Sequence, residues 1–491
     1  MGDDVSRAAY TRADHTRYRR AVRRCLDALE EMLDSGTFLE DEWRTGLEIE
    51  LNLVDADFQP AMKNAEVLEH IDDWRYQTEL GRFNIELNVE PRRIDGQSLV
   101  QLESALRKNL NRARDGAGDV GAGLLMTGVL PTLRAPEPGR SWFSANERYR
   151  LLDEAILASR KEDVEIDIRG AERLELTSDT IAVEAACTST QFHLQVRPNT
   201  FARYWNAAQA LAGPQLALGA NSPYVFGRRL LAESRIELFL QATDTRPPEL
   251  RNQGVRPQVP FGDRWISSIF DLFEENVRFY PALLPETSDE DPFEVLAAGR
   301  TPELSELRLH NGTIYRWNRP VYDVVDGRPH LRVENRVLPS GPTVVDVLAN
   351  AAFFYGVSVA MVLDERPVWS RMSFDAAREN FRTAARFGAE SRLYWPGVGH
   401  VEWDELVLRT LLPMAQAGLE RLGVAADAVD RYLGVIEGRA KLRTNGAAWQ
   451  VAATESFEAR GMDRWAALTA MLEQYVLHMH ANEPVHTWPI A

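Results

Sequence analysis

The stretch Leu47-Glu48-Ile49-Glu50-Leu51-Asn52 alternates apolar and polar residues with a period of two. In a strand, that alternation sends Glu48 and Glu50 to one face and Leu47, Ile49 and Leu51 to the other. Three further segments repeat the pattern: Phe83-Asn84-Ile85-Glu86-Leu87-Asn88, Gln191-Phe192-His193-Leu194-Gln195-Val196 and Leu331-Arg332-Val333-Glu334-Asn335-Arg336. Placed in one sheet, they give it an apolar face for a core. The other face carries carboxylates, amides, a histidine and arginines. Such a face suits divalent metal and phosphate.

The acids come first. Glu48 and Glu50 are two apart, so their carboxylates can converge on one ion or on two adjacent ions. Glu86 repeats the pattern on a second strand, and Glu79 precedes it by seven residues. Two like charges about 5 Å apart repel by roughly 3 kcal/mol at an effective dielectric near 20. Mg²⁺ or Mn²⁺ removes that penalty and prefers oxygen ligands, and His193 offers a nitrogen that Mn²⁺ accepts. Cysteine spacing of the structural-zinc kind is absent from the sequence. Arg332-Val333-Glu334-Asn335-Arg336 puts two guanidinium groups beside a carboxylate, with Arg316 and Arg319 shortly before it. Glutamate can hold a metal that bridges phosphate oxygens, and the arginines can bind the remaining oxygens. The sequence has neither a Walker glycine-lysine loop nor a Gly-x-Gly-x-x-Gly turn. Taken strand by strand, the same residues also suit solvent-facing strands and surface ion pairs.

The 491 residues are 45% hydrophobic and 26% charged, which excludes broad disorder. The formal charge of −17 argues against non-specific binding to nucleic acid or to an anionic membrane. Two cysteines, Cys25 and Cys187, form no disulfide framework and fit a reducing compartment. Cys187 reads as a small buried hydrophobe rather than a nucleophile. The N-terminus lacks a signal-peptide run, and Val344 to Leu363 contains Asp346 and Asn350, so it reads as a buried helix. A cytoplasmic protein is expected.

Along the chain, helices are expected at 14–35, 97–114, 143–160 and 200–219, with a mainly helical stretch at 343–480. Strands are expected at 45–54, 83–90 and within 313–338, and Gly121–Leu130 reads as a buried strand. Residues 244–264, with Arg246, Arg251 and Arg256, read as a long loop of the kind that covers a site. The acidic segment 286–302 reads as mobile. The division expected is an N-terminal helix at 1–40, a catalytic unit at 41–400 and a helical part at 401–491 packed on it.

Several motifs, in order, resemble one family. Gly46-Leu47-Glu48-Ile49-Glu50 is similar to the Gly-x-Glu-x-Glu opening strand of glutamate–cysteine ligases, especially their bacterial carboxylate–amine ligase branch. Thr78-Glu79-Leu80 followed by Ile85-Glu86-Leu87 resembles the second acidic strand, and His193 stands where the family histidine does. Ala220-Asn221-Ser222-Pro223-Tyr224 resembles the Asn-Ser-Pro-aromatic turn, followed by Arg235. Arg332 to Arg336 resembles the Glu-x-Arg strand shared with glutamine synthetases. Glu379-Asn380 with Ala384-Ala385-Arg386-Phe387-Gly388 resembles a helix of the same ligases.

The resemblance implies an α+β, glutamine synthetase-like fold. A curved, mainly antiparallel sheet forms an active-site funnel for ATP and Mg²⁺ (alternatively Mn²⁺), backed by helices. It implies Glu48, Glu50, Glu79, Glu86, His193 and Glu334 as metal ligands. Arg332, Arg336 and Arg316 are implied at phosphate, with Arg332, Arg336 and Glu334 catalytic. Arg235 and Gln195 are implied at substrate. Gln195 departs from a frequent His-x-His strand, and neither the 244–264 loop nor the tail Pro484–Pro489 has a counterpart. The implied activity joins a carboxylate, the γ-carboxylate of glutamate, to an amine such as cysteine through an acyl phosphate. The alternatives are a kinase of a carboxylate or guanidino group on the same fold, and a non-catalytic nucleotide-binding regulator. The expected partners are small molecules, not nucleic acid or membrane, with homo-oligomerisation left open.

Overall fold

The protein is described by a computed structural model covering residues 9–41, 43–135 and 141–490. In chain order the strands are β1 (Arg44–Val54), β2 (Tyr76–Thr78), β3 (Asn84–Arg93), β4 (Gly123–Leu125), β5 (Val164–Arg169), β6 (Arg173–Ser178), β7 (Thr190–Val196), β8 (Tyr224–Val225), β9 (Arg228–Arg229), β10 (Asn318–Val325), β11 (Arg328–Asn335), β12 (Arg392–Trp395) and β13 (Gly399–Glu402). Among the described residues, seven of these form one antiparallel sheet in the order β10-β11-β7-β1-β3-β2, with β4 pairing the end of β1 beyond β7. All four alternating segments therefore lie in a single sheet.

Register makes the polar face continuous. Glu50 stands opposite Glu86 and Glu48 opposite Asn88. On the other edge of β1, Glu48 faces Gln191 and Gly46 faces His193. His193 in turn faces Glu334, and Glu334 faces Arg319. Directly opposed residues of an antiparallel pair share a face, so two adjacent rows, Asn88–Glu48–Gln191 and His193–Glu334–Arg319, carry one polar face across five strands. A register irregularity between Thr45 and Leu47 interrupts the β1–β3 ladder, and bulges of this kind increase local twist.

The opposite face is dry. Leu47, Ile49, Leu51, Ile85, Leu87, Phe192, Leu194, Leu331 and Val333 are all buried. The helix Val344–Leu363 packs on it, with the Phe354 ring 6.1 Å from that of Phe192. Among the described residues this is the one helix long and apolar enough to cross a membrane, and it is 94% buried inside the fold. The helix Pro198–Gly219 is tied to the sheet by a buried amide chain. Asn335 donates to Gln215 Oε1 at 3.2 Å and to Asn318 Oδ1 at 2.7 Å, and Asn318 donates to Gln209 Oε1 at 2.6 Å. Satisfied amides inside a core reject register slips, because a slip leaves them unpaired. One hydrophobic cluster runs from Tyr18 to Trp488, so the first helix (Arg12–Ser35) and the C-terminal helices share the core of the sheet.

One expectation is corrected. Of Gly121–Leu130, only Gly123–Leu125 is strand, because β4 meets only the last three residues of β1 and has no further edge to pair. The acidic segment 286–302 contains the helix Pro292–Ala297, capped by Asp291, which also receives Arg24 at 2.7 Å. The hairpin β5–β6 was not anticipated, although Val164, Ile166 and Ile168 alternate with polar residues.

Candidate active site

The centre of the polar face is a group of carboxylates. Glu50, Glu79 and Glu86 each offer an oxygen within 4.8 Å of the others. Glu50 is fixed by the Ser189 amide (2.6 Å), the Ser189 hydroxyl (3.0 Å) and the Gln191 amide (3.0 Å). Asn88 holds Glu86 at 2.8 Å. Burial, reinforced by Glu86 and Glu50, drives the Glu79 carboxyl well above its ordinary value. Burial and the neighbouring Glu86 outweigh Arg336 and push Glu50 up to about 7. Burial and like charge thus both oppose ionisation of Glu50 and Glu79.

The next part of the face is compensated. Arg319 donates to Glu334 Oε2 at 3.1 and 2.9 Å, and Arg336 donates to Oε1 at 2.6 Å. Burial resists ionisation of Glu334, but the two guanidinium groups prevail and lower it to about 2. His193 Nε2 lies 3.0 Å from Glu48 Oε1, at ion-pair distance but without hydrogen-bond alignment. Burial opposes the Glu48 charge, while His193 and Arg336 hold it below the usual carboxylate range. Arg332 donates from Nε to His193 Nδ1 at 3.1 Å and from Nη1 to Asp323 at 3.0 Å. Arginine is always a donor, so Nδ1 is the acceptor and Nε2 is the ring nitrogen turned toward Glu48. His193 can ligate a metal only after Arg332 releases it.

Two compartments share this face. One holds the three-carboxylate cluster with Glu184, Cys187, Arg235 and Tyr315 on its walls. The other lies toward Arg332, Arg308 and Asp323. Glu48, Arg148 and Arg319 line both. Arg235 reaches the first compartment from a buried base, with Nε on Glu233 Oε1 at 2.9 Å and one Nη on the Val337 carbonyl at 2.5 Å. Arg316 is also on that wall, but its Nε and one Nη donate to Asn276, and that Nη also reaches Glu275 at 3.0 Å. Gln195 lines neither compartment and donates to the Asp41 carbonyl at 2.8 Å. Burial raises the Cys187 thiol well above its ordinary value, which disfavours a thiolate. Arg246, Arg251 and Arg256 of the 244–264 loop line a separate cavity of about 670 Å³ that shares Trp317 with the first compartment. Glu184 and Arg148 were missed from sequence. A lone acid in the apolar run Ile181-Ala-Val-Glu184-Ala-Ala was the available signal for the first.

The profile of Glutamate-cysteine ligase family 2 (GCS2) matches residues 44–450, which covers every element of the sheet described above. The chain belongs to this family. As a GCS2 member it is an ATP-dependent carbon–nitrogen ligase of the glutamate–cysteine ligase type. No curated protein matches its sequence. Among solved structures, it is similar to a glutamate–cysteine ligase from Francisella tularensis in complex with AMP. The identity is 12%, the match covers 91% of each chain, and the TM-score is 0.55. It is also similar to a bifunctional glutathione synthetase from Pasteurella multocida, at 11% identity and a TM-score of 0.50, over 93% of this chain and 55% of that one. This GCS2 chain thus spans about half the length of the latter protein. At such identities the likeness establishes the shared α+β fold, with its curved antiparallel sheet.

Proposed function

We propose that this family member activates the γ-carboxylate of glutamate with ATP as an acyl phosphate and transfers the acyl group to an amine. The observation that carries the reading is the cluster of buried Glu50 and Glu86 with half-buried Glu79, with oxygens within 4.8 Å of one another, beside a guanidinium-rich wall. Three hard oxygen donors without a thiolate fit Mg²⁺, or Mn²⁺, and the raised carboxyls are those that a divalent cation would discharge. When bound, the metal supplies charge neutralisation on the phosphoryl oxygens. Glu48, His193 and Glu334 form a second candidate set, at present neutralised by arginines.

The remaining work falls to this chain's own groups. Arg319, Arg332 and Arg336 are the phosphate-binding candidates. They are held in place by Glu334, Asp323 and His193, and phosphate oxygens can compete for their donors. A row of fixed guanidinium groups stabilises the charge that spreads over a transferring phosphoryl group without reorganising. Arg235, rigid on Glu233, is the candidate partner for the α-carboxylate of glutamate. The attacking carboxylate oxygen then forms a bond to the γ-phosphorus, ADP departs, and an amine displaces phosphate from the acyl carbon.

The test uses purified protein with ATP, Mg²⁺, glutamate and a panel of amines. Amine-dependent ADP release with an amide product of the matching mass is expected. ADP release with a stable phosphorylated product, or no release over the whole panel, would overturn the reading.

A further inference from the structure

Glu184 belongs to neither acid group of the funnel. It lies in the 3₁₀ turn Ile181–Ala186, where Ile181, Ala182, Val183, Ala185 and Ala186 are buried and apolar. Its carboxyl is therefore the polar group that this turn sends to the compartment wall. Its Oε2 is shielded from solvent and has no hydrogen-bond partner among the described residues. Its oxygens are not part of the set formed by Glu50, Glu79 and Glu86. Buried acceptors are almost always satisfied, so an unsatisfied one at a cavity wall points to a ligand donor.

The surroundings specify the donor. Tyr315, Phe239 and Trp317 line the same compartment as an aromatic wall, with the Phe239 ring 5.3 Å from Tyr315 and 5.9 Å from Trp317. Arg235 lies over Trp317 at 5.6 Å, with its Nε committed to Glu233. Aromatic faces and a carboxylate both attract cations. Glutamate and the acceptor both bring an ammonium group, but only the acceptor's must lose a proton for the C–N bond to form. Burial, reinforced by Glu50, raises the Glu184 carboxyl to about 8, in the range of a base matched to work near neutral pH.

Building on the ligase reading, we propose that Glu184 binds the amino group of the acyl acceptor as its ammonium and takes the proton that must leave before attack. The acceptor class is a primary amine whose body rests on the aromatic wall. One N–H proton passes to Glu184, and the freed lone pair forms the C–N bond at the acyl-phosphate carbon. The C–O bond to phosphate breaks with its electron pair on the phosphate oxygen, which collects the second proton from nitrogen.

The experiment compares wild type with Glu184→Gln and Glu184→Asp. Calorimetric titration with ethylamine, benzylamine and cysteine, with N-acetylethylamine and N-acetylated cysteine as the controls that lack an ammonium, measures binding. Steady-state ADP release with glutamate, ATP and Mg²⁺ measures turnover. Expected for Glu184→Gln are amine binding weakened at least tenfold and kcat lowered about a hundredfold or more, in the range of a lost general base. The Mg²⁺ requirement, the KM for ATP and the melting temperature stay unchanged, and Glu184→Asp recovers part of the loss. Undiminished amine binding and kcat in Glu184→Gln, equal binding of the acetylated controls, or a loss confined to the Mg²⁺ requirement would each overturn the proposal. Glu184-dependent amine binding by a wild type that never releases ADP would sink the ligase reading while leaving the amine site in place.

Discussion

Glu334 sits between Arg319 and Arg336 with side-chain exposure of 2%, and each partner approaches to within 3 Å. Its depressed carboxyl contributes stability that is present above the unfolded carboxylate range and lost as pH falls through about 2. Glu334→Gln keeps the volume but removes the charge that positions both arginines. The expected result is at least a hundredfold loss of ADP release with the fold retained by circular dichroism. Glu50 has the opposite sign. Its folded value near 7 lies above the unfolded one, so the stability it contributes is full in acid and lost as pH rises through about 7. Thermal melts of metal-free protein should therefore show Mg²⁺ raising the midpoint more at pH 8 than at pH 5, and Glu86→Gln should abolish most of that difference. At this scale, Glu48, Glu50, Glu86, His193 and Glu334 are legible in sequence because period-two alternation assigns a face without any knowledge of neighbours. Glu184 is not, because a 3₁₀ turn has no such period and only its packing aims the carboxyl. Nor can the commitments of Gln195 to Asp41 and of Arg316 to Asn276 be read locally.

The strands of the polar face assemble because each also carries an apolar row, and helices must cover that row. The helix Val344–Leu363 does so while meeting the helix Leu412–Leu422 at very short range. A Cβ added at Gly418 would lie 1.8 Å from the Gly356 carbonyl oxygen, and one at Gly356 would lie 2.3 Å from the Ala415 carbonyl oxygen. Both obstacles are backbone, which cannot swing aside. Gly418→Ala is accordingly expected to destabilise the protein by about 2 kcal/mol or more, as overpacking does, with a lower urea midpoint and a similar m-value. The apolar run 344–363 and the helical spacing of 14–35 announced their helices. The short strand β4 was misjudged from sequence and the helix Pro292–Ala297 was not anticipated, since their extent depends on which edge or cap lies beside them.

Across the molecule, the C-terminal helices are locked to the helix Val344–Leu363 and to the Asn-Ser-Pro turn by buried polar contacts. Arg439, on the helix Ala426–Leu442, reaches Asp346 at 2.7 Å and Asn350 at 2.7 Å, with both ion-pair partners at most 1% exposed. Asn221, in the Asn-Ser-Pro turn, donates to Tyr475 and to the Ser340 carbonyl, each at 2.8 Å, and Gln450 donates to it at 2.8 Å. Arg439→Ala leaves the Asp346 charge buried without its cation. An equilibrium urea titration should show a loss of about 3–5 kcal/mol, with ligand binding altered only through the folded fraction. The sequence by itself determined the α+β class, the apolar and polar faces of four strands, and the carboxylate–arginine chemistry, because these follow from side-chain type and a fixed backbone period. Tertiary structure alone decided which acids share a site, which arginines are already committed, and where an unpaired carboxyl faces the cavity. Those outcomes depend on register, burial and contacts between residues up to hundreds of positions apart, and the local pattern contains none of them.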